Sequence, residues 1–320
     1  MTAARAECVP GGRRSVRIFT AEEAESEMIF LVAGASGFLG RALTRRLEGH
    51  EIVRTARSRL RADHTGLDAR DPAAVQRLIH RVAPDVVVNL IAERRPEFWD
   101  NKSELSRTNT ATATHLAAAA HSAGARFIHV STDYVFDGET PPYARSAPHG
   151  PLNSYGRTKS AAEAAVLAAN RDSLIVRMPV LYGPVERLDE CNLSDLVPPV
   201  MRGRPVAVDD WAVRRPTFVG DVARSLAELA LSDEGYGPVV HVSGPDPVTK
   251  YDMAVAIATA AGVGTVHLIR KSEPSPSRPR DTTLDCGGPG SLDVSEYVGF
   301  ADGLRAVLPG YLTLWQEAQA

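Results

Sequence analysis

A glycine-rich turn between an apolar run and a helical segment is the feature that most constrains the fold. The run Ile29-Phe30-Leu31-Val32-Ala33 leads directly into a turn with the spacing G-x-x-G-x-x-G. Glycines let a pyrophosphate approach the backbone, and the first turn of the following helix offers free N–H groups to its charge. The alternative is a tight turn that binds nothing. Because the turn joins a strand to a helix, we expect a dinucleotide to bind there. The expected contacts are Gly34, Ser36, Gly37, Phe38, Leu39 and Gly40.

After residue 28, short β-branched runs alternate with alanine-rich segments of helical periodicity. This alternation is typical of βαβ units that wind a parallel sheet, and it brings the carboxyl ends of the strands to one edge. The expected fold class is α/β, a Rossmann-type doubly wound parallel sheet with a smaller C-terminal substrate lobe. The pattern predicts strands at 29–33, 51–55, 85–90, 126–131 and 173–178, and helices at 38–48, 72–82, 105–123 and 154–170.

The domain organisation follows from where this rhythm loosens. We expect an NADP-binding Rossmann domain over 28–178, with later segments near 212–245 returning to it, and a mainly substrate-binding lobe over 179–320. In that lobe, clustered prolines separate short helices such as 219–231 and 250–261. Residues 1–27 form a polar extension without the apolar stretch of a signal peptide. This extension is either dispensable or supplies an edge strand or a partner contact.

Composition excludes several classes of protein. A net charge of −3 is too close to neutral for a nucleic-acid-binding protein, and no run approaches the roughly 20 apolar residues that span a bilayer. Cys8, Cys191 and Cys286 lack the spacing of a disulfide framework or a zinc site, and the nine histidines lack metal-ligand spacing. We therefore expect a cytoplasmic protein with no metal and no nucleic-acid or membrane partner.

The residues that follow the second predicted strand bear on the choice of cofactor. NAD-binding sites usually carry a carboxylate at this position, where it accepts a hydrogen bond from the ribose 2′-hydroxyl. This chain has Arg57-Ser58-Arg59 instead, and guanidinium groups suit a 2′-phosphate. NADP(H) is therefore expected in preference to NAD(H). The alternative is that these arginines only face solvent in a loop.

A tyrosine and a lysine lie one helical turn apart at Tyr155 and Lys159. A nearby ammonium favours the phenolate of a tyrosine and can also hold a ribose hydroxyl, although this spacing is common by chance. The earlier run that ends at Ser131 and Thr132 places hydroxyls at the sheet edge where a cofactor is expected. Thr132 would then hold a substrate carbonyl oxygen while Tyr155 protonates it, and hydride would come from a nicotinamide.

The ordered set of glycine turn, Asn89, Thr132 and the Tyr155/Lys159 pair resembles the extended short-chain dehydrogenase/reductase superfamily. The resemblance implies further cofactor contacts near the adenine, the ribose and the nicotinamide. Those contacts are Asp68, Ala69, Asn89, Leu90, Ile91, Ala92, Val130, Ser131, Pro179 and Val180, together with Tyr155 and Lys159.

Longer phrases are similar to two groups within that superfamily. Residues 131–138 and 151–159 look like the dTDP-4-dehydrorhamnose reductases, whereas 92–96, 177–183 and 249–253 look more like the regulatory β subunit of methionine adenosyltransferase. The first group reduces the 4-keto group of a nucleotide-linked 6-deoxysugar with NAD(P)H, and the second binds NADP and serves as a partner protein. The reductases tend to have a tryptophan where this chain has Met178-Pro179-Val180.

The expected function is NADPH-dependent reduction of such a keto group, and an NADP-binding regulatory subunit or a reductase of a keto or imine group in a specialised metabolite are the alternatives. A homodimer or a regulatory protein partner is compatible with both groups. Arginines of the second lobe suit an anionic diphosphate, although surface salt bridges would also explain them, and Trp211 is equally suited to packing between the lobes. The expected substrate contacts are Glu93, Asp133, Trp211, Arg215 and Arg280.

Overall fold

Alternate residues of the first strand enter two different cores, because successive side chains of a strand point to opposite faces of the sheet. Phe30 and Val32 pack on one face, and Leu31 and Ala33 pack on the other. A strand that is apolar on both faces belongs in the middle of a sheet covered on both sides. The glycine-rich turn therefore leaves the sheet at its centre.

The computed structural model describes residues 27–232 and 236–320. The polar extension expected over 1–27 lies almost wholly outside the described residues. Within them the strands are β1 (Ile29–Ala33), β2 (Glu51–Ala56), β3 (His64–Gly66), β4 (Val86–Asn89), β5 (Arg126–Thr132), β6 (Leu174–Met178), β7 (Leu181–Tyr182), β8 (Val206–Asp209), β9 (Thr217–Phe218), β10 (Val239–His241) and β11 (Leu268–Lys271). The α-helices are α1 (Phe38–Arg46), α2 (Pro72–Val82), α3 (Lys102–Leu105), α4 (Thr112–Ala123), α5 (Ser154–Ala169), α6 (Val197–Met201), α7 (Val219–Leu231), α8 (Lys250–Ala260) and α9 (Phe300–Glu317).

Seven strands form one parallel sheet in the order β10-β6-β5-β4-β1-β2-β3. The order reverses between β1 and β4, which is the point where open α/β sheets bind ligands. Helices α1 and α7 cover one face, and α2, α4 and α5 cover the other. The expected doubly wound Rossmann-type fold is confirmed.

The second lobe has its own core, built from the short helices and the end of the chain. Tyr182, Val197, Ile257 and Leu304 are among its buried residues, and α6, α8 and α9 pack around them. Two pairs of parallel strands, β8 with β11 and β7 with β9, complete the lobe. A capping box at Thr249 and Asp252 begins α8, since each side chain accepts from the backbone N–H of the other residue.

The structure differs from the sequence pattern in three places. The segment expected as one helix over 105–123 begins with a π-helical stretch at Ser106–Ala111 before α4. The short strands β3 and β10 extend the sheet at its two edges, but three residues are too few for a visible alternation. Helix α9 was not predicted, because Pro309 inside it lowers the helical propensity of this segment.

Candidate active site

The glycine turn has the geometry that its spacing indicates. Gly34 has a φ of +89°, which favours glycine, and a β-carbon on Gly40 would lie 2.4 Å from the carbonyl oxygen of Gly34. Helix α1 starts after Gly37 without a side-chain cap. Its first N–H groups therefore have no capping side chain as a partner. These features fit the pyrophosphate of a dinucleotide.

The rest of the turn packs against neighbouring strands. Ser36 and Leu39 are buried, and Phe38 is half-buried. The backbone N–H groups of Gly34 and Ala35 both donate to the carbonyl oxygen of Thr55 at the end of β2, at 3.1 and 3.0 Å. The turn is thus anchored to the strand that precedes the arginine-rich segment.

The arginines after β2 lie on the surface beside carboxylates. Arg57 is 3.9 Å from Glu104, and Arg59 is 3.8 Å from the buried Glu190 of the segment after β7. Both arginine side chains are about half exposed, at 50% and 52%, and Ser58 is exposed as well. Such loosely held guanidinium groups are able to turn toward a phosphate.

Two expected adenine contacts follow β3. The carboxylate of Asp68 pairs with Arg70 at 2.6 Å, and hydrogen bonds from Arg70 lower the pKa of Asp68 to about 2. Ala69 is buried, and its carbonyl oxygen lies 3.0 Å from Nδ1 of His115. Asp68 is therefore charged at neutral pH and already fixed in place by its neighbour.

The end of β4 approaches the glycine turn directly. A β-carbon on Gly34 would lie 3.2 Å from the backbone of Leu90 and 3.3 Å from that of Ile91. The buried Asn89 accepts a hydrogen bond from the Ile91 N–H at 3.0 Å, which shapes this strand end, and Ala92 is exposed beyond it. At the ends of the next two strands, Val130 and Val180 are half-buried, and Pro179 is buried. All these residues lie at the carboxyl edge of the sheet.

Tyr155 lies in the first turn of α5, which Asn153 caps. The Asn153 side chain accepts from the Gly156 N–H at 2.8 Å and donates to the carbonyl oxygen of Ser277, at 2.9 Å, in the second lobe. Gly156 allows the helix to approach the turn after β5, since a β-carbon there would lie 2.2 Å from the Tyr134 carbonyl oxygen. The helix start is therefore pressed against the strand end that carries Thr132.

The environment of Tyr155 favours its protonated form. Desolvation raises the pKa of Tyr155 to about 12, and the Thr132 hydroxyl and the positive charge of Arg94 oppose this rise. Thr132 is buried, donates to Asp133 at 3.1 Å and accepts from the Tyr134 N–H at 3.2 Å. At neutral pH Tyr155 is thus a neutral phenol that can donate a proton.

Lys159 is fully buried and directed at the sheet. Its Nζ lies 2.7 Å from the carbonyl oxygen of Val130 and 3.0 Å from Nε2 of His129. Burial lowers the pKa of Lys159 to about 8, against the opposing effect of Glu163. The side chain of Ser131, which the resemblance implied as a cofactor contact, donates instead to Glu163 within the protein.

The expected substrate contacts lie in different surroundings. Asp133 is buried and hydrogen-bonded to Thr132 and Thr282, and burial raises its pKa. Glu93 pairs with Arg95 at 2.6 Å. Arg215 donates to Thr283 and to the Pro245 carbonyl oxygen, Trp211 is half-buried, and Arg280 is exposed. Arg215 is thus used within the second lobe, whereas Arg280 is accessible.

Two residues near the site were missed by the sequence analysis. The buried Asn109 accepts from the Glu93 N–H at 2.7 Å and donates to the Glu93 carbonyl oxygen and the Thr158 hydroxyl, both at 3.0 Å. It therefore fixes the segment after β4 to α5. Arg94 contributes positive charge near Tyr155. Asn109 lies in the π-helical stretch, which has no sequence signature. The run of threonines around it was the one sign of a polar contact in the sequence.

The second lobe contains a cavity of about 640 Å³. Helix α6, strand β8 and the segment 273–278 form its walls, and Lys250, Lys271 and Arg278 bring positive charge to it beside Asp209 and Glu273. Burial lowers the pKa of Lys250. The cavity has the size and charge for part of an anionic small molecule.

In residues 27–232 and 236–320, no group of histidine, cysteine and carboxylate side chains has the arrangement of a metal site. Over the same ranges, no helix has the length and apolar character needed to cross a membrane.

Comparison with known proteins finds related chains over most of the length. A family model described as the RmlD substrate binding domain matches residues 28–297. Methionine adenosyltransferase 2 subunit beta from Pongo abelii is 37% identical over 293 residues, covering 88% of this chain and 87% of that protein. dTDP-4-dehydrorhamnose reductase from Mycobacterium tuberculosis is 35% identical over 239 residues, covering 72% of this chain and 75% of that protein.

Solved structures share the fold. A dTDP-4-dehydrorhamnose reductase from Clostridium acetobutylicum superposes with a TM-score of 0.75 at 26% identity, covering 90% of this chain and 100% of that chain. The Bacillus anthracis dTDP-4-dehydrorhamnose reductase in complex with NADP superposes with a TM-score of 0.76 at 23% identity, covering 89% and 99% of the two chains. At that identity the second likeness concerns the fold.

Proposed function

Because this chain belongs to the RmlD substrate binding domain family, among the extended short-chain dehydrogenases/reductases, we propose that it reduces a carbonyl group with NADPH. This membership confirms the resemblance that the sequence motifs carried. The proposed substrate is the 4-keto group of a nucleotide-linked 6-deoxysugar. The observation that carries the proposal is the placement of Thr132, at the carboxyl end of β5, beside Tyr155 of α5, which lies one helical turn before Lys159.

The residues of the site support a division of roles. When bound, the nicotinamide would supply a hydride to the carbonyl carbon. Tyr155 is protonated at neutral pH and would give its proton to the carbonyl oxygen, so that an alcohol and a tyrosinate result. Thr132 would orient that oxygen, and Lys159 would hold the cofactor ribose. The cation of Arg94 would stabilise the tyrosinate.

The choice of NADPH rests on Arg57 and Arg59. Both are exposed at the end of β2, where a carboxylate would favour NAD. The Bacillus anthracis reductase is described in complex with NADP, which supports a nicotinamide cofactor of this kind. In the second lobe, Lys250 and Arg278 line a cavity, beside Asp209 and Glu273, and would offer cationic contacts to a nucleoside diphosphate.

The test is NADPH oxidation, followed by absorbance, with and without a dTDP-4-keto-6-deoxyhexose. Replacing Tyr155→Phe is expected to lower kcat by about 10²- to 10⁴-fold, while the Kd for NADPH stays the same. Tyr251→Phe in α8 is the matched control, because its ring packs against Arg270 and it has no place in the proposed chemistry. Full activity of the Tyr155→Phe protein would refute the assignment.

A second candidate is a cofactor-binding regulatory subunit. The observation in its favour is the longer and more identical match to methionine adenosyltransferase 2 subunit beta. It predicts a stable complex with the methionine adenosyltransferase of the same source. Purified full-length proteins would be mixed and followed by size-exclusion chromatography with light scattering, in the presence and absence of NADPH. Two separate peaks at micromolar concentrations, together with tyrosine-dependent turnover, would exclude this candidate.

A further inference from the structure

Asn89, His129 and Lys159 form a buried row of polar side chains that crosses from β4 through β5 to α5. Asn89 and His129 are register partners on neighbouring strands. Asn89 Nδ2 lies 3.0 Å from His129 Nδ1, and His129 Nε2 lies 3.0 Å from Lys159 Nζ. At most 1% of each of these residues is exposed. Water is therefore excluded, and the three side chains must satisfy one another.

The direction of this row is fixed at its first member. The Ile91 N–H can only donate, and Asn89 Oδ1 accepts from it at 3.0 Å. Asn89 Nδ2 must then donate to His129 Nδ1, so that this ring nitrogen carries a lone pair. A neutral imidazole has one N–H, which must lie on Nε2 and point toward Lys159.

An ammonium group and an Nε2–H cannot both donate across 3.0 Å. The row is complete only when Nζ of Lys159 accepts from His129 and donates to the Val130 carbonyl oxygen. We propose that His129 is a positioning residue for Lys159: its Nε2–H donates to Nζ and so favours the neutral amine form of the lysine.

The electrostatic surroundings agree with this hydrogen-bond direction. Burial lowers the pKa of His129 well below its ordinary value, so the ring stays neutral. Burial lowers the pKa of Lys159 to about 8. A donor on His129 and the loss of water act in the same sense, since both disfavour the ammonium form.

The other charged and titratable groups around Lys159 are accounted for. On its own helix, Glu163 favours the ammonium, but it is already paired with Arg177 of β6 at 2.7 Å. Asp133, on the turn after β5, is hydrogen-bonded to Thr282. His115 of α4 contacts the carbonyl oxygen of Ala69 instead. Tyr155 is a neutral phenol at these pH values.

The proposal is tested by titrating the lysines directly. The chain has four lysines, Lys102, Lys159, Lys250 and Lys271, so the full-length protein labelled with ¹³C at lysine Cε gives four resonances. Substitution of each lysine by arginine assigns them. We expect the Lys159 resonance to titrate with a midpoint near the value of about 8 that burial indicates. A midpoint near the ordinary lysine value of about 10.4 would overturn the proposal.

His129→Gln separates the role of the imidazole from burial alone. A glutamine amide places a group close to the position of Nε2 and can turn its oxygen toward the ammonium. We therefore expect the midpoint of Lys159 to rise by about one pH unit or more. The exposed His121→Gln on α4 is the matched control and leaves the midpoint unchanged. An unchanged midpoint in a folded His129→Gln protein would show that His129 does not set it.

A second measurement needs no substitution. The ¹⁵N shifts of ring-labelled histidine distinguish the two neutral tautomers. At about pH 9, above the expected midpoint of Lys159, we expect His129 to be protonated at Nε2 and bare at Nδ1. The opposite tautomer would mean that Lys159 donates to the ring, and would overturn the proposal even if the variant fails to fold.

The consequence for catalysis rests on the proposed function, whereas the titrations do not. In the reductase, the shifted lysine would appear as a displaced limb in the pH profile of kcat, with the KM for NADPH little changed in His129→Gln. A protein without turnover but with an Nε2–H tautomer and a low lysine midpoint would retain the inference and lose the reductase. An active reductase in which Lys159 titrates near the ordinary lysine value would retain the proposed function and lose the inference.

Discussion

Arg177 of β6 and Glu163 of α5 form a buried ion pair in which Nη2 lies 2.7 Å from Oε2 and Nε lies 3.1 Å from Oε1. Each side chain is only 4% exposed. The Ser131 hydroxyl also donates to Glu163, and Arg177 donates to the Arg145 carbonyl oxygen at 2.9 Å. The pair thus ties the sheet, the helix that carries Tyr155 and Lys159, and the loop before that helix.

Removing one partner should be worse than removing both. Arg177→Met is expected to lower the free energy of unfolding by about 3–5 kcal/mol, because Glu163 would remain buried without its counter-charge. The double variant Glu163→Met, Arg177→Met is expected to recover part of that loss. Urea unfolding followed by circular dichroism measures both. A double variant that loses the full sum of the two single effects would show that the two residues act independently.

The lowered pKa of His241 predicts that the protein loses stability in acid. Burial, together with the positive charge of Arg177 beside Nε2, lowers the pKa of His241 to about 4. The hydrogen bond from Nδ1 to the Asp285 carbonyl oxygen acts in the opposite sense. The folded pKa lies below the unfolded value of about 6.5, so the unfolded chain binds the proton more tightly. Stability from this group is present above pH 6.5 and is lost as pH falls toward 4.

The size of that loss follows from the two pKa values. Between pH 7.5 and 5.0 the group should remove about 2 kcal/mol from the free energy of unfolding. His241→Asn keeps a donor toward Asp285 and cannot be protonated, so its stability should fall less over this range. His121→Gln, on the exposed surface of α4, should keep the wild-type slope. Equal slopes in all three proteins would remove His241 as the cause.

Substitution of two glycines in helix α9 tests how the second lobe is packed. A β-carbon on Gly303 would lie 1.9 Å from the hydroxyl oxygen of Tyr182, which is itself fully buried, whereas one on Gly310 would meet nothing within 4 Å. Gly303→Ala is therefore expected to cost about 1–3 kcal/mol through overpacking. Gly310→Ala in the same helix should gain up to about 1 kcal/mol from helix propensity. Thermal melts of the two proteins should shift in opposite directions, and similar shifts would contradict this packing.

The local parts of the site can be predicted from the sequence, whereas the contacts between distant segments cannot. The glycine turn and the Tyr155/Lys159 pair are visible because one turn or one helix sets their geometry. The contacts of His129 with Asn89 and Lys159 join residues 40 and 30 positions apart. The sheet register brings Asn89 to His129, and the packing of α5 on the sheet brings Lys159 there. Asn109 escapes notice for the same reason, since its partner Thr158 is 49 positions away.

The sequence shows that the residues after β2 are cationic, but it does not show which carboxylates face them. Their position followed from the strand pattern, whereas Glu190, which faces Arg59, belongs to the second lobe. The expected roles of Arg57 and Arg59 in cofactor choice therefore stay predictions. These roles can be tested by substitution with little effect on stability, because both side chains are about half exposed.

Arg59→Ser should weaken NADPH binding and leave NADH binding nearly unchanged. A guanidinium bound to the 2′-phosphate contributes a charge-assisted hydrogen bond of about 1.5–3 kcal/mol, so the Kd for NADPH should rise by about tenfold or more. NADH has a hydroxyl at that position and gains little from the cation. Arg77→Ser on α2 is the matched control, since Arg77 is exposed and lies 3.9 Å from Asp71. Fluorescence titration with both cofactors measures the two affinities, and an equal loss for NADPH and NADH would mean that Arg59 does not read the 2′-phosphate.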